Sequence, residues 1–228
     1  MVPIVGSPIA VAFAVAMGWT YNRRMTAWLD ELAKAVTELQ ERTDGLPFDD
    51  LAQDEGFVDA VIAATRAAQA THADDKLEAL RNGVLNSLGP DAPSLDEQAR
   101  FFRLVEQFTA AHLRLLAFLD DPGAFFDAAA IARPNMYAGG RANLLRHLPD
   151  FAAGGDWLDL LAGDLSAAIL TGHGGLNVMQ TGASLWESAT SPLGKRSWPS
   201  SASRRRSRTI NSEWALGELE TLVDLAGT

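Results

Sequence analysis

Apolar side chains recur at three- and four-residue steps over most of the first 120 residues, the period of helices that each bury one face. The clearest run predicts a helix over 20–43. Met25, Trp28, Leu29, Leu32, Val36 and Leu39 form its stripe, and Thr43-Asp44-Gly45 ends it with a glycine suited to a left-handed cap. The next helix is expected over 53–70, with Phe57, Val58, Val61, Ile62 and Thr65 inward. Another spans 74–88 on Leu77, Leu80, Val84, Leu85 and Leu88, and Gly89-Pro90 stops it. Ser94-Leu95-Asp96-Glu97 has the capping-box pattern and opens a helix carrying Phe101, Leu104, Val105 and Phe108. Thr109 is placed to cap a following helix that buries Leu113, Leu116 and Leu119 and closes at Asp120-Asp121-Pro122. Residues 20–121 therefore read as an antiparallel bundle of about five helices with short loops.

The pattern loosens after Pro122. Short helices are expected near 123–131 and 140–147, and a stronger one over 156–170 with Trp157, Leu158, Leu161, Leu165 and Ile169 apolar. Gly172-His173-Gly174-Gly175 reads as a loop. Leu176–Gln180 and Ala183–Trp186 are candidates for two short strands around Thr181-Gly182. Three helices followed by a small hairpin is the order of a winged-helix module. The expected fold is mainly α: a helical bundle, then a winged-helix-like region over 122–196 with at most a small β-hairpin.

The bundle is preceded by an uncharged apolar segment, residues 1–19, which Arg23 and Arg24 follow. Pro3, Gly6 and Pro8 break its first third and leave roughly Ile9–Tyr21 as helix, short of the ~20 apolar residues of a membrane span. A secretory signal wants positive charge ahead of the apolar run, and no charged side chain precedes this one. Three readings stay open here: a buried or partner-facing helix, a membrane-associated element, and a signal segment.

Composition narrows the function classes. Apolar residues make up 47% of the 228, enough for a sizeable core, and Ala and Leu dominate over β-branched residues, which favours helices. The absence of cysteine removes disulfides, thiolate metal sites and cysteine nucleophiles, and makes the cytoplasm the default compartment. The net charge is −10 and unevenly spread. Residues 1–194 carry 13 Lys and Arg against 25 Asp and Glu, whereas the last 34 residues carry 6 against 4. An acidic body repels phosphate backbones and anionic membranes, which argues against nucleic acid as a partner.

The motifs that carry chemistry are missing or incomplete. There is no phosphate-binding Gly-x-x-x-x-Gly-Lys run, and Gly172-x-Gly174-Gly175 completes no dinucleotide fingerprint. Gly182-Ala183-Ser184-Leu185-Trp186 lacks the closing glycine of a nucleophile elbow, so His173-Gly174-Gly175 has no serine to serve as an oxyanion loop. His72, His112, His147 and His173 form no His-x-x-x-His pair of the kind that binds zinc on a helix. His72 with Asp74 and Asp75 makes a metal-or-base cluster on paper. A helix start explains it better, because carboxylates complement a helix N-terminus. His112 borders an apolar stripe and reads as an interfacial histidine. No catalytic, cofactor-binding or metal-ligating residue is assigned, and no cofactor is implied. An enzyme with dispersed catalytic residues stays open, since sites assemble in space.

In a winged-helix DNA reader the 156–170 helix would be basic and polar. Here it carries Asp156, Asp159 and Asp164 and no Lys or Arg, a charge suited to packing against protein. The basic run Arg204-Arg205-Arg206-Ser207-Arg208 is the exception. Thr190-Ser191-Pro192-Leu193-Gly194-Lys195-Arg196 resembles the end of bacterial winged-helix proteins, where a Thr-x-x-Gly run leads into Phe-Leu-x-Phe-Ile. Ser197-Trp198-Pro199-Ser200-Ser201 follows instead. Encoded TCC TGG CCT TCA TCN and read one base earlier behind a T, those codons give TTC CTG GCC TTC ATC, which is Phe-Leu-Ala-Phe-Ile. A frameshift near codon 196 is therefore expected, with 197–228 an out-of-frame, largely disordered tail and the basic run an accident of the frame. Glu213–Ala226 can still be drawn as an amphipathic helix.

The layout as a whole resembles a loose set of bacterial helical proteins, some near the abortive-infection alpha type. The resemblance runs through Asn22-Arg23-Arg24, Trp28-Leu29-Asp30-Glu31-Leu32, Phe57-Val58, Lys76-Leu77-Glu78-Ala79-Leu80-Arg81-Asn82 and Phe108-Thr109-Ala110-Ala111-His112-Leu113-Arg114-Leu115-Leu116, and covers most of residues 3–196. It implies a role in phage defence and offers no catalytic residues to carry over. The functional expectation is a cytoplasmic, non-enzymatic protein that acts through protein partners or self-association. The alternatives are a membrane-associated protein using residues 1–19 as an insertion element and a winged-helix DNA-binding regulator.

Overall fold

A computed structural model describes residues 8–41, 48–88, 92–152, 154–172 and 176–197. Several features singled out above lie outside these residues: Pro3 and Gly6, the Thr43-Asp44-Gly45 stop, Gly89-Pro90, His173 with the glycines after it, and everything beyond Ser197. The out-of-frame reading, the basic run and the Glu213–Ala226 helix all fall in that last stretch.

The fold is mainly helical. The chain divides into two compact units, Met1–Ala110 and Ala111–Thr228. In the first, α1 (Pro8–Gln40) runs without interruption through the point where the apolar segment was expected to give way to a separate helix at residue 20. Pro8 stands at its first position, where a missing N–H costs nothing. Helix α2 (Phe48–Leu51) is a single turn, and its Leu51 is buried. Then come α3 (Glu55–Gln69), α4 (Asp74–Asn86) and α5 (Leu95–Gln107).

Helix α3 packs against α1, α4 and α5. Its inward face differs from the expected one. Phe57 is buried, but the rest of the face is Ala60, Ala64, Ala67 and Ala68, while Ile62 is 61% exposed. A helix surrounded by three others needs small side chains at its contacts so that the axes can approach to the usual 8–10 Å, and the alanine stripe supplies them. Asp54 caps this helix by accepting from the Phe57 N–H at 2.7 Å. The capping box at Ser94 and Glu97 forms as read from sequence, with the Ser94 N–H donating to Glu97 Oε2 at 3.0 Å. Gly83 on α4 faces the edge-to-face pair Phe101 and Phe102 of α5, and a methyl group there would overlap both rings.

In the second unit, α6 (Ala110–Asp120) buries His112, Leu113, Leu115, Leu116, Phe118 and Leu119, more than one face of the helix. Asp121 caps α7 (Pro122–Ala128) by accepting from the Ala124 N–H at 2.9 Å, with Pro122 in the first turn. Strand β1 (Ala138–Gly139) leads into α8 (Arg141–Leu145), then a 3-10 turn at Pro149–Phe151 and α9 (Asp156–Ala167). Strand β2 (Gln180–Thr181) and a 3-10 turn at Ser184–Trp186 precede α10 (Pro192–Ser197).

The expected hairpin within 176–186 does not form. Gln180 and Thr181 pair antiparallel with β1, in the register Ala138 to Thr181 and Gly139 to Gln180. Ser184–Trp186 coils into its 3-10 turn, where the Trp186 ring meets Phe126 edge-on at 5.5 Å and lies under the Arg133 guanidinium. Burying the aromatic side chain against α7 outweighs what a two-stranded ribbon, marginal in isolation, would gain.

The segment after β2 is pinned to the core. The Ala189 N–H donates to Leu119 O at 2.7 Å and Thr190 Oγ1 to Asp120 Oδ1 at 2.9 Å, both at the end of α6. Buried Ser191 donates to Ile169 O at 2.6 Å and accepts from the Gly194 N–H at 2.9 Å. Ser191 is thus a cap for α10 and Thr190 an anchor to the end of α6. Gly194 fits because it lies against the Leu170 carbonyl, leaving no space for a β-carbon.

Candidate functional site

Two features stand out among the described residues: a groove on the first unit and the solvent face of α9 on the second. The groove arises from two helices that each turn an i, i+3, i+4, i+7 face to one gap. Helix α1 contributes Tyr21, Arg24, Met25, Trp28 and Glu31, and α4 contributes Asp74, Leu77, Glu78 and Arg81. The end of α3 and the connection after it close the base with Gln69, Thr71 and His72. The cavity measures about 450 Å³. Trp28 is held in place because its indole N–H donates to Thr65 Oγ1 on α3 at 3.1 Å. Arg81 reaches across to Glu31 at 3.4 Å.

The cluster of His72, Asp74 and Asp75 stands at the start of α4. Ala73 holds the cap position without a side-chain bond, and Thr71 Oγ1 accepts from the Ala73 N–H at 3.1 Å. Asp74 and Asp75 stand in the first turn, as a helix start prefers. His72 is exposed and lines the groove. Lys76 turns away and donates to Glu106 O on α5 at 2.9 Å. Partial burial lowers its amine below the ordinary lysine value, and the Glu106 charge offsets part of that.

On α9, Trp157 is 54% and Leu160 51% exposed, beside exposed Asp156, Asp159 and Asp164. Asp156 and Asp159 belong to the first turn. Asp164 faces α6, its Oδ2 3.1 Å from His112 Nε2. Sequence spacing did not bring these two together, because they are 52 residues apart. A His–Asp pair is the base-and-orienter half of a hydrolase triad. Here the ring is only 5% exposed, so no substrate reaches it. Past the end of α9, Ile169 has φ of 62°. That left-handed conformation is costly for a β-branched residue and usual for glycine.

The remaining candidates stay apart. His147 is exposed on its own segment. Ser184 accepts from buried Arg141 through its carbonyl at 2.8 Å, and its hydroxyl accepts from Thr181 Oγ1 at 3.0 Å. Among the described residues no three His, Asp or Glu side chains converge on a possible metal position. No helix among them is long and apolar enough to cross a membrane. Trp28 is buried, in keeping with its place in the apolar stripe of α1, and the groove is not legible in sequence because half-buried Leu77 has the spacing of a core position. The available signal was the same four-step spacing repeated on α1 and α4 with charged residues interleaved. No family model, curated protein or solved structure matches this chain.

Proposed function

We propose that this chain acts through protein–protein contacts and that α9 is its docking face. The observation that carries the reading is the surface of this helix. It offers Trp157 and Leu160 to solvent between carboxylates and contains no Lys or Arg. An exposed tryptophan is among the commonest anchors of an interface, and a neighbouring apolar side chain helps to exclude water around it. Flanking acids select a partner whose own apolar anchors are bordered by Lys or Arg. The strained backbone of Ile169 at the end of the same helix supports the reading, because such conformations cluster at functional surfaces.

Residues 122–196 are proposed to be winged-helix-like. In support, β1 and β2 pair with each other from either side of α8 and α9, so a short strand pair brackets two consecutive helices. The DNA-reading version has little behind it, since exposed Asp156 and Asp159 would face phosphate and α9 has no Lys or Arg to offset them. A cytoplasmic place and a role in bacterial phage defence belong to the same proposal. The second rests on sequence resemblance alone.

A photo-crosslinking amino acid at position 160, with Ala99 on α5 as the control position, tests the contact in host cells. A discrete adduct at 160 that disappears with D156K/D159K is the expected result. No adduct at 160, or the same adduct at 99, removes α9 as the docking face. A phage panel plated with and without the gene tests the defence role, and equal plaque counts throughout would remove it.

A further inference from the structure

We propose that the groove between α1 and α4 binds a small organic cation with a flat apolar body. Its volume of about 450 Å³ lies within the range of small-molecule sites, which pair apolar and aromatic walls with a few polar groups. Tyr21 is exposed and supplies the open aromatic surface, and Met25 and Leu77 with the edge of buried Trp28 form the rest of the apolar wall. Electron-rich ring faces attract ammonium groups, most strongly where water is partly excluded.

The charges point the same way. Asp74 and Glu78 stand four residues apart on α4, so two like charges share one face of the helix, an arrangement that costs a little stability. The basic residues that would naturally neutralise them are engaged elsewhere. Lys76 is bonded to Glu106 O and Arg81 is paired with Glu31. Arg24, on the opposite wall, is the remaining basic side chain of the lining. The α4 wall is therefore left with negative charge across from the exposed Tyr21 ring of α1, the two elements that recognise a hydrophobic ammonium compound. The inference concerns the first unit and does not depend on the reading of α9.

The test is calorimetric titration of the full chain with benzyltrimethylammonium, with 3-phenylpropionate as an anion of similar size. Saturable one-site binding of the cation and none of the anion is expected. D74N/E78Q weakens the cation by about tenfold, the sum of two partly exposed charge contacts. Y21A, on the exposed rim, also weakens it while leaving the unfolding temperature in place. Failure of the cation to saturate would overturn the proposal. So would unchanged affinity in folded D74N/E78Q and Y21A, or equal binding of the anion.

Discussion

His112 and Asp164 meet at 3.1 Å across α6 and α9, joining a buried imidazole to a carboxylate that is half exposed. The contact changes the meaning of the acidity of α9. One of its three aspartates helps to hold the helix onto the core, and the other two sit where the helix dipole favours them. Local structural needs therefore account for the charge, and the same charge sets which partners the exposed face accepts.

Asp164→Ala removes the carboxylate and leaves the ring in place. The expected loss is about 1 kcal/mol, the usual worth of a partly exposed hydrogen bond. Urea unfolding followed by circular dichroism measures it. A loss below the error of that measurement would mean that the contact does not fasten α9.

Ile169→Gly is expected to stabilise the chain. Its left-handed backbone is the conformation glycine adopts without penalty, and relief is worth about 1 kcal/mol. The side chain is exposed, so little packing is lost in exchange. A thermal melt showing a lower midpoint would contradict this. If the strain serves docking, the same variant also weakens the position-160 crosslink.

Gly83→Ala goes the other way. Alanine is the better helix former by about 1 kcal/mol, yet its methyl group would overlap Phe101 and Phe102. Overpacking of this kind costs about 1–3 kcal/mol and outweighs the propensity gain. The unfolding midpoint should fall. Gly163→Ala on α9 has open space above it and should raise the midpoint.

Arg141 is buried, and its Nη2 donates to the carbonyls of Ser184 and Glu187 at 2.8 and 3.0 Å. Burial lowers its pKa, and Glu187 acts in the opposite direction. Arg141→Met fills similar space but withdraws the donor from both carbonyls, at an expected cost of about 2 kcal/mol. Amide exchange should quicken first at Trp186 and Glu187, whose N–H groups bond within that turn. Uniform quickening across α6 would instead indicate global loss of the core.

The start of α5 was legible in sequence because its determinants are local. The Ser94–Glu97 box lies within four residues, and the position of α4 follows from its leucine spacing. The mainly helical class followed from Ala and Leu content and period. Which face of α3 turned inward was not legible. Phe57 and Ile62 are both large and apolar, and only the crowding of three neighbouring helices favours the alanines over Ile62. The pairing of β2 with β1 was hidden for a similar reason. Residues 176–180 look like a strand from their own pattern, but the partner lies about forty residues away and Trp186 is drawn to Phe126 instead.

The candidate sites divide along the same line. The sequence by itself determined the chemistry on offer: no thiol, three aspartates on one helix, Trp157 and Leu160 within a turn of each other, and acids at 74 and 78. Those are properties of composition and spacing along one helix. Only the tertiary structure decided what each residue does. It turned Trp157 and Leu160 outward, set Asp164 against His112, and opened a gap between α1 and α4 that Trp28 lines. Burial and contact between distant segments depend on how helices pack, and packing is settled by the volume and shape of all the side chains together.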